Sequence, residues 1–253
     1  MYGDLVSIIM PAYNCAEWIG KSIDSVIAQT YENWELIIVD DCSTDDTLTV
    51  IKEYSQTDTR IKWYKLKHNS GAAIARNTAV DKAKGVYLAF LDSDDLWKTE
   101  KLQKQIRFMS DNRYDFTCTD YGKVDENDVI NNITIRCEKK YDYDMVLKRC
   151  PGNSTIIYNC ESLGKFHAIN IKRRNDFVMW LAVIKKAKYA YGLQEILGYH
   201  RVRSGSISYK KSDLMKYQWK VYRKIERLCI VKSLYLMIYK ITDTIRIKFF
   251  SKL

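Results

Sequence analysis

Short apolar runs rich in β-branched residues recur through the first ninety residues. They are LVSIIM (5–10), WELIIVDD (34–41), IKWYKL (61–66) and VYLAF (86–90). Each is bounded by polar or turn residues, the pattern of a buried strand. Between them the apolar spacing changes to three and four. In AEWIGKSIDSVIAQ (16–29), Ile19, Ile23, Val26 and Ile27 share one helical face. STDDTLTVIKEYSQ (43–56) opens with Ser43 and carries Asp46 three residues on, close to a capping box. GAAIARNTAVDKAKG (71–85) is Ala-rich and ends at Gly85, a predicted C-cap. This alternation predicts an α/β chain, a parallel sheet with helices on its faces. Such sheets bind ligands beyond the carboxyl ends of their strands. PAYN, DDCSTDD and DSDD all stand at those ends, so three polar clusters are predicted to meet at one rim.

The pattern loosens after Leu102. RYDFTCTDY (113–121) and STIIY (154–158) read as strands. NDFVMWLAVIKKA (175–187) reads as a helix with Phe177, Leu181 and Ile184 on one stripe, and YAYGLQEILGYHRV (189–202) as two short strands. From about 210 the chain is predicted helical. Val221, Ile225, Leu228, Val231, Tyr235, Ile238, Ile245 and Phe249 approximate one apolar face, with Lys216, Lys220, Arg223, Lys224 and Arg227 mostly opposite. The predicted division is a catalytic domain at 1–209, with halves 1–110 and 111–209, and a basic amphipathic tail at 210–253.

Composition narrows the class. Apolar residues make up 47% of 253, enough for a large core, and two prolines with ten glycines argue against disorder. The seven cysteines form no CxxC pair, which fits free thiols in a reducing cytosol. The first residues lack the basic n-region of a signal peptide, and no uncharged run nears the ~18 residues that span a bilayer. The net charge of +10 is uneven: residues 211–253 hold eleven Lys/Arg against three Asp/Glu, and residues 1–210 hold thirty against twenty-eight. The nearly neutral body gives no support for nucleic-acid binding, whereas the tail calls for an anionic partner or surface.

YLAFLDSDDLW (87–97) crowds Asp92, Asp94 and Asp95 at a strand end. Two carboxylates two residues apart suit Mg²⁺ or Mn²⁺, which take hard oxygen ligands; a solvated acidic loop capping the next helix is the plainer alternative. Of Asp40 and Asp41, one is a candidate to accept from a base or ribose; the alternative is that they cap the segment that begins at Ser43. GxGxxG after the first strand, GxxxxGK[ST], GxSxG and an HExxH-type histidine spacing are all missing, which disfavours dinucleotide, P-loop, serine-hydrolase and zinc-protease chemistry.

VSIIMPAYN, SVIAQTYENWELIIVDDCSTDDT, NSGAAIARNTAVDKAKGVYLAFLDSDDLW and NDFVMWL occur in that order. Together they resemble the family 2 glycosyltransferases with the GT-A fold, densely over 5–110, thinly over 111–206 and hardly beyond 210. The resemblance implies a Rossmann-like, mostly parallel sheet and an inverting transfer from a nucleotide diphosphate sugar, usually UDP, to an acceptor hydroxyl. It implies that Pro11, Ala12 and Tyr13 border the nucleotide, Tyr13 stacking on uracil. Asp41 is then expected on the uracil N–H with Asp40 beside it, and Arg76 and Ser93 near the nucleotide. Asp92 and Asp94 would hold Mn²⁺ or Mg²⁺. Asp176 is the expected base. Asn175 stands where the family has Glu, and Trp180 matches an aromatic on the acceptor side. In HRVRSGS (200–206), Arg203 replaces a common His, so Arg201 and Arg203 are expected to neutralise the pyrophosphate.

The acceptor suggested is a lipid-diphosphate-linked sugar of a bacterial O antigen or capsule, reached from the cytoplasmic face. The tail at 211–253 would lie on the anionic inner leaflet, or else pack on the domain or form a homodimer interface. The rivals are a receiver-like switch, for which the third strand lacks an Asp, and a noncatalytic membrane- or nucleic-acid-binding module.

Overall fold

Four apolar runs separated by amphipathic segments fold as strand and helix in turn. The computed structural model describes residues 3–203 and 211–250. Its first half comprises β1 (Val6–Ala12), α1 (Ala16–Ile27), β2 (Trp34–Asp40), α2 (Thr47–Thr57), β3 (Ile61–Lys65), α3 (Ala72–Lys82) and β4 (Tyr87–Phe90). The second half continues with β5 (Leu96–Trp97), α4 (Lys101–Asn112), β6 (Phe116–Asp125), β7 (Ile130–Ile135), β8 (Lys140–Tyr141) and α5 (Tyr143–Lys148). A 3₁₀ turn at Asn153–Thr155 leads to β9 (Ile157–Asn159), α6 (Cys160–Leu163), α7 (Asn175–Ala187) and β10 (Ala190–Val202). The tail forms α8 (Lys211–Lys220), a π-helical turn at Val221–Ile225, and α9 (Ile230–Phe250).

The strands run β3-β2-β1-β4-β9-β6-β10-β5, with β7 on β6 and β8 on β10. The β3-β2-β1-β4 half is parallel, as predicted; β9 then runs antiparallel to both β4 and β6. Every residue of β1 and β2 is buried, because helices cover both faces. One face packs on α1, α2 and α4, through residues such as Ile23, Ile51 and Ile106. The other packs on α3, α5 and α7, and Val221, Tyr222 and Leu236 of the tail join the same core. Pro11 sits inside β1 without harm, since β4 stops opposite Ile9 and no strand lies beside Pro11 on that side.

Three local expectations are corrected. The helix foreseen from Ser43 begins at Thr47, because Ser43 N–H donates to Asp40 and Ser43 Oγ accepts from Asn14 N–H at 3.0 Å. Gly85 caps no helix: α3 ends at Lys82, and a Cβ at Gly85 would lie 2.5 Å from Leu5 O and 2.6 Å from Ser7 N, so the glycine permits a close backbone approach. The two strands foreseen in 189–202 are one strand, β10, interrupted by register shifts between Leu193 and Tyr199.

Candidate active site

The predicted rim forms, and hydrogen bonds between its loops hold it together. Asn14 Oδ1, at the end of β1, accepts from Thr44 N–H at 2.9 Å. Asp41 Oδ1 and Oδ2, after β2, accept from Ser70 N–H (2.7 Å) and Gly71 N–H (2.8 Å) at the start of α3. Asp40 is fully buried and accepts from Ser43 N–H within its own loop. Pro11 and Ala12 are buried strand residues, and Tyr13 beside them is 45% exposed at the rim.

The Asp92–Asp95 loop is gripped from three sides. Asp92 N–H donates to Ser154 Oγ (3.1 Å), and Ser154 Oγ–H donates to Asp95 Oδ2 (2.5 Å). Asn153 Nδ2 donates to Asp92 Oδ1 at 2.8 Å. Arg201 N–H donates to Asp95 Oδ1 at 2.9 Å, and His200 Nδ1 lies 3.2 Å from the same oxygen. Arg203 Nε meets Asp94 Oδ2 at 2.9 Å, its guanidinium over the Trp18 ring.

Burial, with the carboxylates of Asp95, Asp94 and Asp176, pushes Asp92 up to about 7 against the pull of Arg76. Burial and Asp95 likewise raise Asp94, against Arg203. Burial would raise Asp95 as well, but His200 and the donated hydrogen bonds hold it below the ordinary carboxylate range. Asp95 in turn lifts His200 to about 9.

Across from this loop lies the N-terminus of α7. A cavity of about 280 Å³ is lined by Asp92, Asp95, Asn153, His200, Arg174 and Asp176, among others. Asp176 stands in the first turn of α7, and among the described residues no side chain is seen to donate to its carboxylate. Arg174, in the left-handed region at φ 64°, turns the chain into that helix. Arg76 spans the two sides: Nη1 donates to Asn175 Oδ1 (2.7 Å) and Nη2 lies 3.4 Å from Asp92 Oδ1.

Asp92 and Asp94 offer hard oxygens whose ordinary repulsion a divalent cation would relieve. One oxygen of Asp94 is engaged by Arg203. Among the described residues no three His, Cys, Asp or Glu side chains converge as a metal cage. Two carboxylates alone would leave a divalent cation to take its remaining ligands from phosphate oxygens and water.

The model of the family described as "Glycosyl transferase family 2" matches residues 7–170. The chain belongs to glycosyl transferase family 2. The putative teichuronic acid biosynthesis glycosyltransferase TuaG of Bacillus subtilis is 41% identical over 90% of this chain and 91% of that protein. The Escherichia coli UDP-Glc:alpha-D-GlcNAc-diphosphoundecaprenol beta-1,3-glucosyltransferase WfgD is 36% identical over 93% and 92%. Among solved structures, S. aureus TarS 1-349 in complex with UDP-GlcNAc superposes with a TM-score of 0.70 at 22% identity, over 87% of this chain and 66% of that one. The GT-A architecture expected of a family 2 glycosyltransferase is thus the one observed, and the chain spans just under two thirds of the TarS fragment.

Within the glycosyltransferase frame, three site expectations change. Trp180 does not reach the acceptor side: its ring is fully buried and meets Phe90 edge-on at 4.7 Å, because the position faces the core stripe of α7. Arg201 is not available to a diphosphate. Its side chain is fully buried, donating to Asp94 O and Asp125 O and pairing with Asp128, so it props the acidic loop from behind. Ser93 turns inward, its carbonyl accepting from Ser22 Oγ and its side chain against the Cys15 thiol. His200, Asn153, Ser154 and Arg174 line the cavity but are absent from the sequence-derived set. A lone histidine and a PGNST turn carry no spacing signal, so only the adjacency of His200 to the HRVR string could have drawn attention.

Proposed function

We propose that the enzyme transfers a hexose from a UDP-sugar to a hydroxyl of a lipid-diphosphate-linked sugar, with inversion to a β-linkage, in assembling a bacterial surface polysaccharide at the inner face of the cell membrane. The observation that carries this reading is Asp176 facing the Asp92–Asp95 loop across one cavity. The donor class is supported by the UDP-GlcNAc complex of TarS and the UDP-Glc in the name of WfgD. The acceptor class is supported by the diphosphoundecaprenol in that name, and the polymer class by the teichuronic acid in the name of TuaG.

In the proposed reaction the acceptor oxygen attacks the anomeric carbon while Asp176 takes its proton. The bond from that carbon to the diphosphate oxygen breaks, and its electron pair leaves on UDP. No enzyme nucleophile intervenes, so one displacement inverts the centre. Tyr13 would stack on the uracil. Asp41 keeps lone pairs beyond those given to Ser70 and Gly71 and would accept the uracil N–H, with Asp40 shaping the loop behind it. Asp92 and Asp94 would hold Mn²⁺ or Mg²⁺, which when bound neutralises charge on the departing diphosphate. Arg203, a quarter exposed beside Asp94, would add a second positive charge. Asn175 orients Arg76 rather than the acceptor, so the glutamate it replaces has no counterpart there.

The test is a screen of nucleotide sugars for UDP release with and without manganese, in the presence of GlcNAc-diphosphoundecaprenol. Release that needs both a UDP-hexose and this acceptor, giving a β-linked product, is the expected result. Release with an acceptor lacking the diphosphate at equal rate, or retention at the anomeric centre, would refute the reading.

A further inference from the structure

The tail turns its acidic residues inward, alongside the core residues Val221, Tyr222 and Leu236. Its three acidic residues are all consumed by the body: Asp213 pairs with Arg173 (3.4 Å), Glu226 with Lys185 (2.6 Å) and Asp243 with Arg149 (3.4 Å). Tyr143 O–H also donates to Glu226. On α9, Ser233 and Leu236 are buried, and Lys240 donates to Lys148 O while lying over the Phe177 ring.

What remains outward is apolar and cationic. Ile230, Leu234, Ile238, Ile241 and Ile245 recur at helical spacing on the opposite side of α9 and are 47–60% exposed. Val231, at 73%, and Tyr235 widen the stripe. Just before it, Lys216, Lys220, Lys224 and Arg227 recur every three or four residues, are exposed, and pair with no carboxylate among the described residues. Soluble surfaces rarely leave an apolar run of this kind without a partner.

A second copy of this chain is a poor occupant. A two-fold dimer through this surface would gather eight cations at one interface with no acid of the tail left among them to offset their repulsion. An anionic lipid surface offers a partner to each ridge, the acyl boundary to the isoleucines and the headgroups to the lysines.

The inward contacts give this docking a consequence for the site. Asp213 holds Arg173, three residues before Asp176, while Tyr222 and Lys240 pack on Phe177, the residue after it. The inner side of α9 thus lies against the start of α7, and the apolar stripe is on the far side of the same helix. We propose that α9 seats the enzyme on an anionic bilayer through this stripe, and in doing so holds the Arg174–Asp176 end of the cavity at the membrane surface. The second clause rests on the lipid-linked acceptor proposed above. There, Arg174, which lines the cavity and whose buried Nε has no hydrogen-bond partner, would meet the anionic headgroup of the acceptor.

The test uses the full chain and phosphatidylcholine vesicles with and without phosphatidylglycerol. Wild type is expected to float only with the anionic vesicles. Binding should fall roughly fivefold for each cation removed in Lys216→Gln, Lys220→Gln and Lys224→Gln. Leu234→Ser/Ile238→Ser should abolish flotation while the melting temperature holds. This pair should also lose transfer to an acceptor embedded in vesicles but keep transfer to a short-chain, water-soluble analogue. Wild type that ignores anionic vesicles overturns the proposal. So does a Leu234→Ser/Ile238→Ser variant that floats normally, or one that merely converts a dimer to a monomer. So does equal loss on both acceptors. Flotation needs no substrate, so wild type that floats yet transfers nothing would refute the acceptor reading and leave the docking surface standing.

Discussion

Arg76 Nη1 donates to Asn175 Oδ1 at 2.7 Å, joining the first half of the chain to the first residue of α7. The same guanidinium lies 3.4 Å from Asp92, and its side chain is only 5% exposed. One buried cation therefore couples the acidic loop to the helix that carries Asp176. Arg76→Met should leave Asp92 and Asn175 without this partner. Because Asp92 is one third exposed, solvent screens part of the loss, and we expect roughly 2 kcal/mol of destabilisation. That corresponds to a fall in melting temperature of about 4–8 °C, read by calorimetry. An unchanged melting temperature would show that the bridge contributes nothing.

Asp176→Asn keeps the shape of the side chain and removes its basicity. Transfer should drop about 10²–10⁴-fold while UDP binding, followed by calorimetric titration, stays at the wild-type affinity. A variant with normal turnover would remove Asp176 from the role of base.

The His200–Asp95 pair makes the acidic loop sensitive to alkali. His200 is lifted from its ordinary value near 6.5 to about 9 by Asp95. A raised folded-state value means that its contribution is complete below about 6.5 and disappears as pH rises through about 9. His200→Gln should therefore lower the melting temperature at mildly acidic pH and match wild type above about pH 10. A stability difference that is constant across this range would exclude an ionised pair.

Gly85→Ala should destabilise the chain by about 1–3 kcal/mol, because the new methyl would press on Leu5 O and Ser7 N, which are backbone and cannot swing aside. Chemical denaturation would read the loss as a lower midpoint. Tolerance equal to that of a surface glycine would mean that β1 and the segment before β4 can separate freely.

Local pattern determined much of the first half of the chain. β1 to β4 follow four apolar runs within a residue or two, because strands covered by helices on both faces, as β1, β2 and β4 are, must be largely apolar, while the edge strand β3 is only partly buried. α7 coincides with its predicted span, since its apolar spacing is helical along its whole length. The strand-end carboxylates were legible for the same reason: strand direction places them at one rim whatever the loops do.

Tertiary structure decided the rest, because partners distant in sequence set it. Trp180 and Arg201 carry the residue types of a binding site, yet packing on Phe90 and bonding to Asp125 commit them to the interior. His200, Asn153 and Ser154 bear no motif, but β10 and the turn before β9 bring them against Asp92 and Asp95. Periodicity alone marks the tail as amphipathic. Which face turns inward was decided by the body's surface, where the core takes up Val221, Tyr222 and Leu236 and Arg149, Arg173 and Lys185 stand within reach of the tail's acids.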